Sequence, residues 1–343
     1  MTDTTVRTGG APTLHDVARE AGVSLATASR VLNGSTRKVA EAYRERVQAA
    51  ADRLGYTANL SAQAIARGTS ATVALLVADI ADPYFGQIAS GVAHAADEAG
   101  LIVTIAMTER DPQREVALVR ALRGQRPRGI VLAASRDTAS DADALTAEIA
   151  SVQSTGGRVV TLGAALPGTR VVAYENEAGA RALAGKLTAL GYRDAVVLAG
   201  PEGLRTSDDR LAGFTAGFAD GGGATPRIVR GQISRDAGYE ATARLLEEGL
   251  GPGTLLFGIS DVVAIGAISA IRDAGRAPGS DIAVAGFDDI ATGRDVTPGL
   301  TTVHLPLEEL GAQALRAAVE DDWTPPAPVS LEVLVRDSTP PRQ

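Results

Sequence analysis

Several of the polar residues able to contact a small molecule stand directly after apolar runs of this sequence. The run VALLVA at 73–78 leads into Asp79, Asp82, Tyr84 and Phe85. GIVLA at 129–133 leads into Ser135 and Arg136, TLLFG at 254–258 into Ser260 and Asp261, and IAVAGF at 282–287 into Asp288 and Asp289. Arg210 opens the segment RLAGF. Carboxylates accept, arginine donates and ring faces cover C–H surfaces, so this set is equipped to read the hydroxyls of a sugar. Asp288 serves equally well as a turn carboxylate, and Asp261 is expected to cap the helix that follows it.

The same inventory lacks the parts of an enzyme. The three histidines, His15, His94 and His304, stand far apart in sequence and none has a second His at metal-ligand spacing or a paired nucleophile. There is no cysteine, hence no thiolate metal site and no disulfide framework. Asp208-Asp209 and Asp288-Asp289 are adjacent carboxylates that nothing marks as a glycosidase pair. No GxxxxGK[ST] loop occurs, and Gly221-Gly222-Gly223 is a loop without a phosphate motif. No catalytic residue, metal or cofactor is expected.

These residues need elements to position them. Further apolar runs lie at 102–107, 159–163, 194–200 and 225–231, alternating with helical segments such as Gln87–Ala99 and Arg114–Arg123. Such alternation implies parallel sheets with helices on both faces, and two series imply two lobes. Parallel α/β sheets bind ligands at the carboxyl ends of their strands, where the polar residues stand.

The first 56 residues follow another pattern. Thr13 is a good N-cap, and Leu14, Val17, Ala18 and Ala21 recur on one helical face before Gly22 stops the helix. Ser24 caps a second helix with Ala28, Val31 and Leu32 inward, ended by Asn33-Gly34. A third runs from about Ala40 to Leu54. Two short helices joined by Gly-Val-Ser form a helix-turn-helix, whose second helix offers its N-terminal side chains to DNA base edges. Leu25, Ala26, Ser29 and Arg30 are the exposed residues there, and Ser24, Thr27 and Asn33 are placed to donate to phosphates. Thr13, Leu14 and His15 begin the first helix, also on the DNA side. A three-helix protein-binding bundle is the plainer alternative.

Net charge is −8 over 343 residues, which by itself opposes DNA binding. Residues 1–70 carry nine Lys/Arg against six Asp/Glu, leaving +3 on the head and −11 on the remainder. A basic head on an acidic body can hold a polyanion locally. At 45% hydrophobic residues the chain can build sizeable cores, and its length calls for more than one domain. The opening twelve residues lack a charged-then-apolar leader, and no apolar run reaches the ~20 residues that span a bilayer. A cytoplasmic protein without a membrane partner is the expectation.

The segments TLHDVAREAGVSLATASRVLNGS and RERVQAAADRLGYTAN closely resemble the DNA-binding head of the LacI/GalR repressor family. The resemblance continues through DIADPYF, RPRGIVL, RLAGF, SDVVAIGA, DIAVAGFDD and LTTVHLP, in order over residues 12 to about 338. It implies a small all-α helix-turn-helix head on an α/β periplasmic-binding-protein-like body of two doubly wound lobes. The implied divisions are a disordered tail at 1–11, the head at 12–57, a hinge helix or linker at 58–70 and an effector-binding and dimerisation domain at 71–338. Within that domain, lobe 1 is expected at about 71–168 plus 300–325 and lobe 2 at about 169–298 plus 328–338.

In this family the hinge folds in the minor groove of the operator, where a Leu wedges between base pairs. The alignment places Asn59 and Ala62 in this hinge and Ile65 at the wedge, where an apolar side chain suits unstacking. Ile in place of Leu is a departure. The resemblance also implies that Asp82, Arg210, Ser260 and Asp288 contact an effector, that Tyr84 and Phe85 form an apolar wall, and that Ile233 falls near a position where some members stack an aromatic. Asp82 and Ser260 both stand where Asn is common.

The function implied is a homodimeric transcriptional repressor, released from a pseudo-palindromic operator by a small-molecule effector, most simply a sugar. Co-repression or control by a protein partner remains open at this point. A solute-binding transport protein would fit the body, but predicts a leader and no DNA head. The closing residues DSTPPRQ hold no leucine heptads, so a tetramer built by such a tail is not expected.

Overall fold

The computed structural model describes residues 11–32, 39–57, 70–134, 136, 142–329 and 331–342. The expected tail, Asn33, most of the hinge with Asn59, Ala62 and Ile65, and Ser135 lie outside the described residues. The chain divides into residues 1–70 and 71–343.

In the first unit, α1 (Leu14–Ala21), α2 (Leu25–Leu32) and α3 (Glu41–Leu54) close around Val17, Ala18, Ala21, Ala28, Val47 and Ala50. These side chains are small, so short helices approach closely enough to share one core. Thr13 and Asp16 form a capping box at α1, satisfying amide groups that a helix start leaves open. Gly22 takes φ 61° at the C-terminus of α1, a left-handed conformation suited to glycine. The guanidinium of Arg46, from α3, donates to the carbonyls of Ala21 and Gly22, and a Cβ on Gly22 would run into it. The turn between α1 and α2 is thus clamped from below. Ala40 precedes α3 without any side-chain cap.

In the second unit, β1 (Thr72–Val77), β2 (Ile102–Met107), β3 (Gly129–Leu132), β4 (Arg158–Leu162) and β5 (Arg170–Val172) form a parallel sheet in the order β2-β1-β3-β4-β5. A second parallel sheet has the order β7-β6-β8-β9, from β6 (Ala195–Ala199), β7 (Arg227–Arg230), β8 (Leu255–Gly258) and β9 (Ala283–Ala285). Strands covered on both faces read as continuous apolar runs, as in β1, where Leu75 and Leu76 are both fully buried. Each such side chain contributes about 1.5–3 kcal/mol by leaving water.

The first lobe carries α4 (Pro83–Glu98), α5 (Pro112–Arg123) and α6 (Ala142–Ser154); the second carries α7 (Asn176–Ala189), α8 (Arg205–Asp220), α9 (Arg235–Glu247), α10 (Asp261–Asp273) and the short α11 (Thr292–Asp295). Both α4 and α5 begin earlier than the apolar pattern predicts, because Asp82-Pro83 and Asp111-Pro112 are cap-and-start pairs. Asp82 accepts from the Tyr84 amide at 3.0 Å and Asp111 from the Gln113 amide at 2.9 Å.

The chain crosses between lobes at places other than those expected. The division at 168/169 falls before β5, which pairs with β4, so the first sheet runs on to Val172. On the return, β10 (Thr302–His304) bridges Ala285 and Asp288 through Thr301 and His304, so it stands with the second lobe. Only α12 (Leu307–Val319) goes back, to pack on α4 and the first sheet. β11 (Glu332–Leu334) then pairs antiparallel with β10. These strands are three residues each, too short to show a period in the sequence.

Candidate functional site

In the head, Leu25, Ala26 and Arg30 are exposed on α2, with Ser29 half-buried beside them. Ser24 caps α2, accepting from the Thr27 amide at 3.1 Å, and the two hydroxyls lie 2.8 Å apart. Their oxygens therefore shape the helix start as well as facing outward. Thr13 and His15 are exposed, whereas Leu14 packs partly against the head's core. The arrangement presents a short helix end with one guanidinium, one hydroxyl and two apolar side chains, a surface that fits base edges in a major groove.

In the body, the strand ends converge between the lobes. Asp82, Tyr84 and Phe85 arrive from the first lobe; Arg210, Ile233, Ser260 and Asp288 arrive from the second; together they line one narrow cleft with a cavity of about 50 Å³. Arg210 is buried and held from several sides. Its Nε donates to Asn176 Oδ1 at 2.8 Å and its Nη1 to the Ile259 carbonyl at 2.9 Å, while Nη2 lies 2.7 Å from Asp288 Oδ1. The guanidinium also stacks 3.9 Å from the Phe287 ring centroid. The contact with Asp288 is an ion pair that lacks hydrogen-bond alignment, so that oxygen keeps acceptor capacity.

Asp288 reaches the cleft because its backbone is forced there. Asp288 and Asp289 have φ 114° and 56°, values that non-glycine residues adopt only when their surroundings demand it. The surroundings are specific. The buried Asp261 carboxylate accepts from the Ile290 amide at 2.9 Å and the Thr302 hydroxyl at 2.7 Å, and the Asp288 amide donates to Val303 O at 2.9 Å. Asp261 is therefore the pin of this turn rather than the cap expected of it, the capping position being Ser260. Asp289 is turned away to His304, at 2.9 Å, and Arg336, at 2.6 Å.

Burial pushes the Asp288 carboxyl up to about 7, against the pull of Arg210. Burial likewise raises Asp82, eased by the Tyr84 amide and by Arg110. Ser260 Oγ is buried without a hydrogen-bond partner. Tyr84 and Tyr174 share a hydrogen bond of 2.8 Å between their hydroxyls. The cleft thus combines two carboxyls raised by burial, an idle hydroxyl and aromatic walls, which suits a neutral polyhydroxylated ligand better than an ion.

Sequence reasoning missed Tyr174, Arg110 and Thr206, which also line the cleft. Tyr174 follows the short β5, and Arg110 follows β2, so the same strand-end rule would have found both. Asn176, the orienting partner of Arg210, carried no signal of its own.

The model of bacterial regulatory proteins of the lacI family matches residues 13–59, and that of a periplasmic binding protein-like domain matches residues 184–339. The transcriptional regulator GalR of Escherichia coli is 33% identical over 90% of this chain and 88% of its own length. The chain belongs to the LacI family. The ribose operon repressor of Halalkalibacterium halodurans is 30% identical over 95% of this chain and 97% of its own. The lac repressor dimer bound to operator and the anti-inducer ONPF has a TM-score of 0.81 at 26% identity, covering 96% of this chain and 100% of that one. CelR in complex with cellobiose has a TM-score of 0.67 at 28% identity, covering 95% and 99%. As a LacI-family protein, the chain is a DNA-binding transcriptional regulator with a helix-turn-helix head and a periplasmic-binding-like body. No helix among the described residues is long and apolar enough to cross a membrane.

Proposed function

We propose that this LacI-family regulator is a homodimeric repressor of a sugar-utilisation operon, released from a pseudo-palindromic operator when a sugar binds between its lobes. The cleft carries the reading: seven of the eight residues expected at an effector line one space, and Ser260 Oγ waits there unpartnered. A relative named as a ribose operon repressor, and a neighbour bound to cellobiose, support a sugar. DNA contacts are assigned to Thr13, Leu14, His15, Ser24, Leu25, Ala26, Thr27, Ser29, Arg30 and Asn33 in the head, with Asn59, Ala62 and Ile65 in the hinge.

A ligand can shift operator affinity only by binding the two conformations of the protein unequally. Residues of both lobes line the cleft, so a bound sugar favours one interlobe arrangement. In a dimer that arrangement sets the spacing of the two heads and hence the grip on a two-fold operator.

The test begins by selecting bound sequences from a random DNA pool and then titrating sugars against the gel-shifted complex. One sugar is expected to release DNA from the wild-type protein, and the Arg210→Ala variant is expected to bind DNA normally and ignore that sugar. Release that persists in Arg210→Ala would remove the effector assignment. A sugar that tightens DNA binding would establish co-repression instead.

A further inference from the structure

The effector cleft has a neighbour. Arg110 and Leu204 line it and also line a second, larger space of about 270 Å³, open to solvent, between the first lobe's β2–α5 turn and the second lobe's segment around Pro201 and Gln232. Neither space alone reaches the ~300–1,000 Å³ range of small-molecule sites; the cleft at about 50 Å³ and the chamber at about 270 Å³ reach its lower end only together. Lobe-to-lobe contact borders the second space, the Arg205 amide donating to the Arg136 carbonyl at 3.2 Å.

The walls of this chamber are built. Arg136 donates to the Glu115 carboxylate through Nε at 3.0 Å and Nη2 at 2.7 Å, a bidentate pair that is largely buried. Thr108 is 1% exposed, and its hydroxyl has no hydrogen-bond partner. Leaving a buried hydroxyl unpaired costs free energy that a ligand hydroxyl would recover. Glu109 and Arg110 have φ 55° and 57°, and the chain is held there by the Thr108 and Glu109 amides donating to Val77 and Ala78. This left-handed pair sets Arg110 at the junction of the two spaces. Arg110 makes no hydrogen bond or ion pair among the described residues, and burial lowers the tendency of its guanidinium to hold its proton. A polar group of the ligand would supply the missing partner.

We infer that the effector has two linked polar units, the first in the cleft at Arg210 and Asp288 and the second in the chamber at Thr108 and Gln232, with Arg110 donating to the oxygens at their junction. This rests on the reading of the cleft as a sugar site. The second unit is neutral. Of the four carboxylates lining the chamber, Glu115 is paired with Arg136 and Glu109 with Arg114 at 3.4 Å, leaving Asp111 and Glu202 against Arg110. That surplus repels a phosphate or carboxylate and accepts from hydroxyls. The ligand class is a neutral disaccharide or a glycoside of similar length.

Isothermal titration of the full chain would use cellobiose, maltose, lactose and trehalose, their monosaccharides, and glucose 6-phosphate. One disaccharide is expected to bind at least about tenfold tighter than its component sugars, the gain of one or two added hydrogen bonds. Gln232 is exposed, so Gln232→Trp fills the chamber mouth without disturbing a core. It is expected to weaken the disaccharide about tenfold or more and to leave the monosaccharide unchanged. Thr108→Val, which keeps the shape and removes the hydroxyl, is expected to weaken only the disaccharide, by about three- to tenfold. Equal binding of monosaccharide and disaccharide, both indifferent to Gln232→Trp, would overturn the chamber and leave the cleft standing. Preference for glucose 6-phosphate would overturn the neutral assignment. Silence from every sugar would overturn the cleft reading and this inference with it.

Discussion

Asp288 joins the two pressures that define the cleft. Its carboxyl sits in a place too poor in water for a charge, yet beside a guanidinium that favours one, and the balance puts its pKa at about 7. The ordinary value is 3.8, so the folded protein holds this proton to a higher pH than the unfolded chain. That linkage stabilises the fold fully below about 3.8 and is lost as pH rises through 7. Binding runs the other way. A sugar hydroxyl donates to the ionised carboxylate, so affinity is expected to be about tenfold higher at pH 8 than at pH 6 and level above that. Asp288→Asn is expected to flatten the profile, and titration calorimetry across that range would read it. A wild-type affinity that is flat with pH would place the ligand's hydroxyls elsewhere. At this scale the sequence revealed residue types well and orientation badly. The resemblance singled out Asp288, but the residues alone gave no reason; the turn pinned by Asp261 supplies it, sending Asp288 to the cleft and Asp289 to His304 and Arg336.

Among the elements, close helix pairs shape both lobes. α12 crosses α4 where Gly311 and Gly91 let the backbones meet; a Cβ on Gly311 would strike the Ile88 carbonyl, and one on Gly91 the Glu308 carbonyl. Gly238 and Gly266 do the same for α9 and α10. Neither collision involves a flexible side chain that could step aside. Gly311→Ala is therefore expected to cost the body about 1–3 kcal/mol, read as a lower urea midpoint with the slope unchanged. An unaltered midpoint would mean that α12 can slide on α4. The small head answers to capping instead. Ser24→Ala removes the oxygen that takes the Thr27 amide and is expected to cost about 1 kcal/mol, seen as a lower melting temperature of the head and weaker operator binding. The long buried strands and capped helices were legible because their patterns repeat over several residues. β5, β10 and β11 were not, because three-residue strands carry no period and, unlike β9, these are not set in a longer apolar run.

For the whole molecule, the unpaired sheet edges matter most. β2 ends the first sheet with Ile102 and Ile105 exposed, at 53% and 44%. An apolar edge strand left open is a template for association, and the proposed homodimer would seat a second copy of this chain there. The double variant Ile102→Lys, Ile105→Lys is expected to sediment as a monomer and to bind operator more than about tenfold more weakly, since each head then acts alone. A dimer that survives both substitutions would place the interface on another face. The sequence by itself determined the division into head and body and the parallel α/β character, and it supplied the residues proposed for DNA and effector, because capping, periodicity and strand ends are local properties of a chain. Tertiary structure decided where the chain crosses between lobes, how the turn at Asp288 and Asp289 is held, and that Tyr174 and Arg110 line the cleft. Those outcomes depend on contacts between residues tens to hundreds of positions apart, for which a local pattern carries no signature.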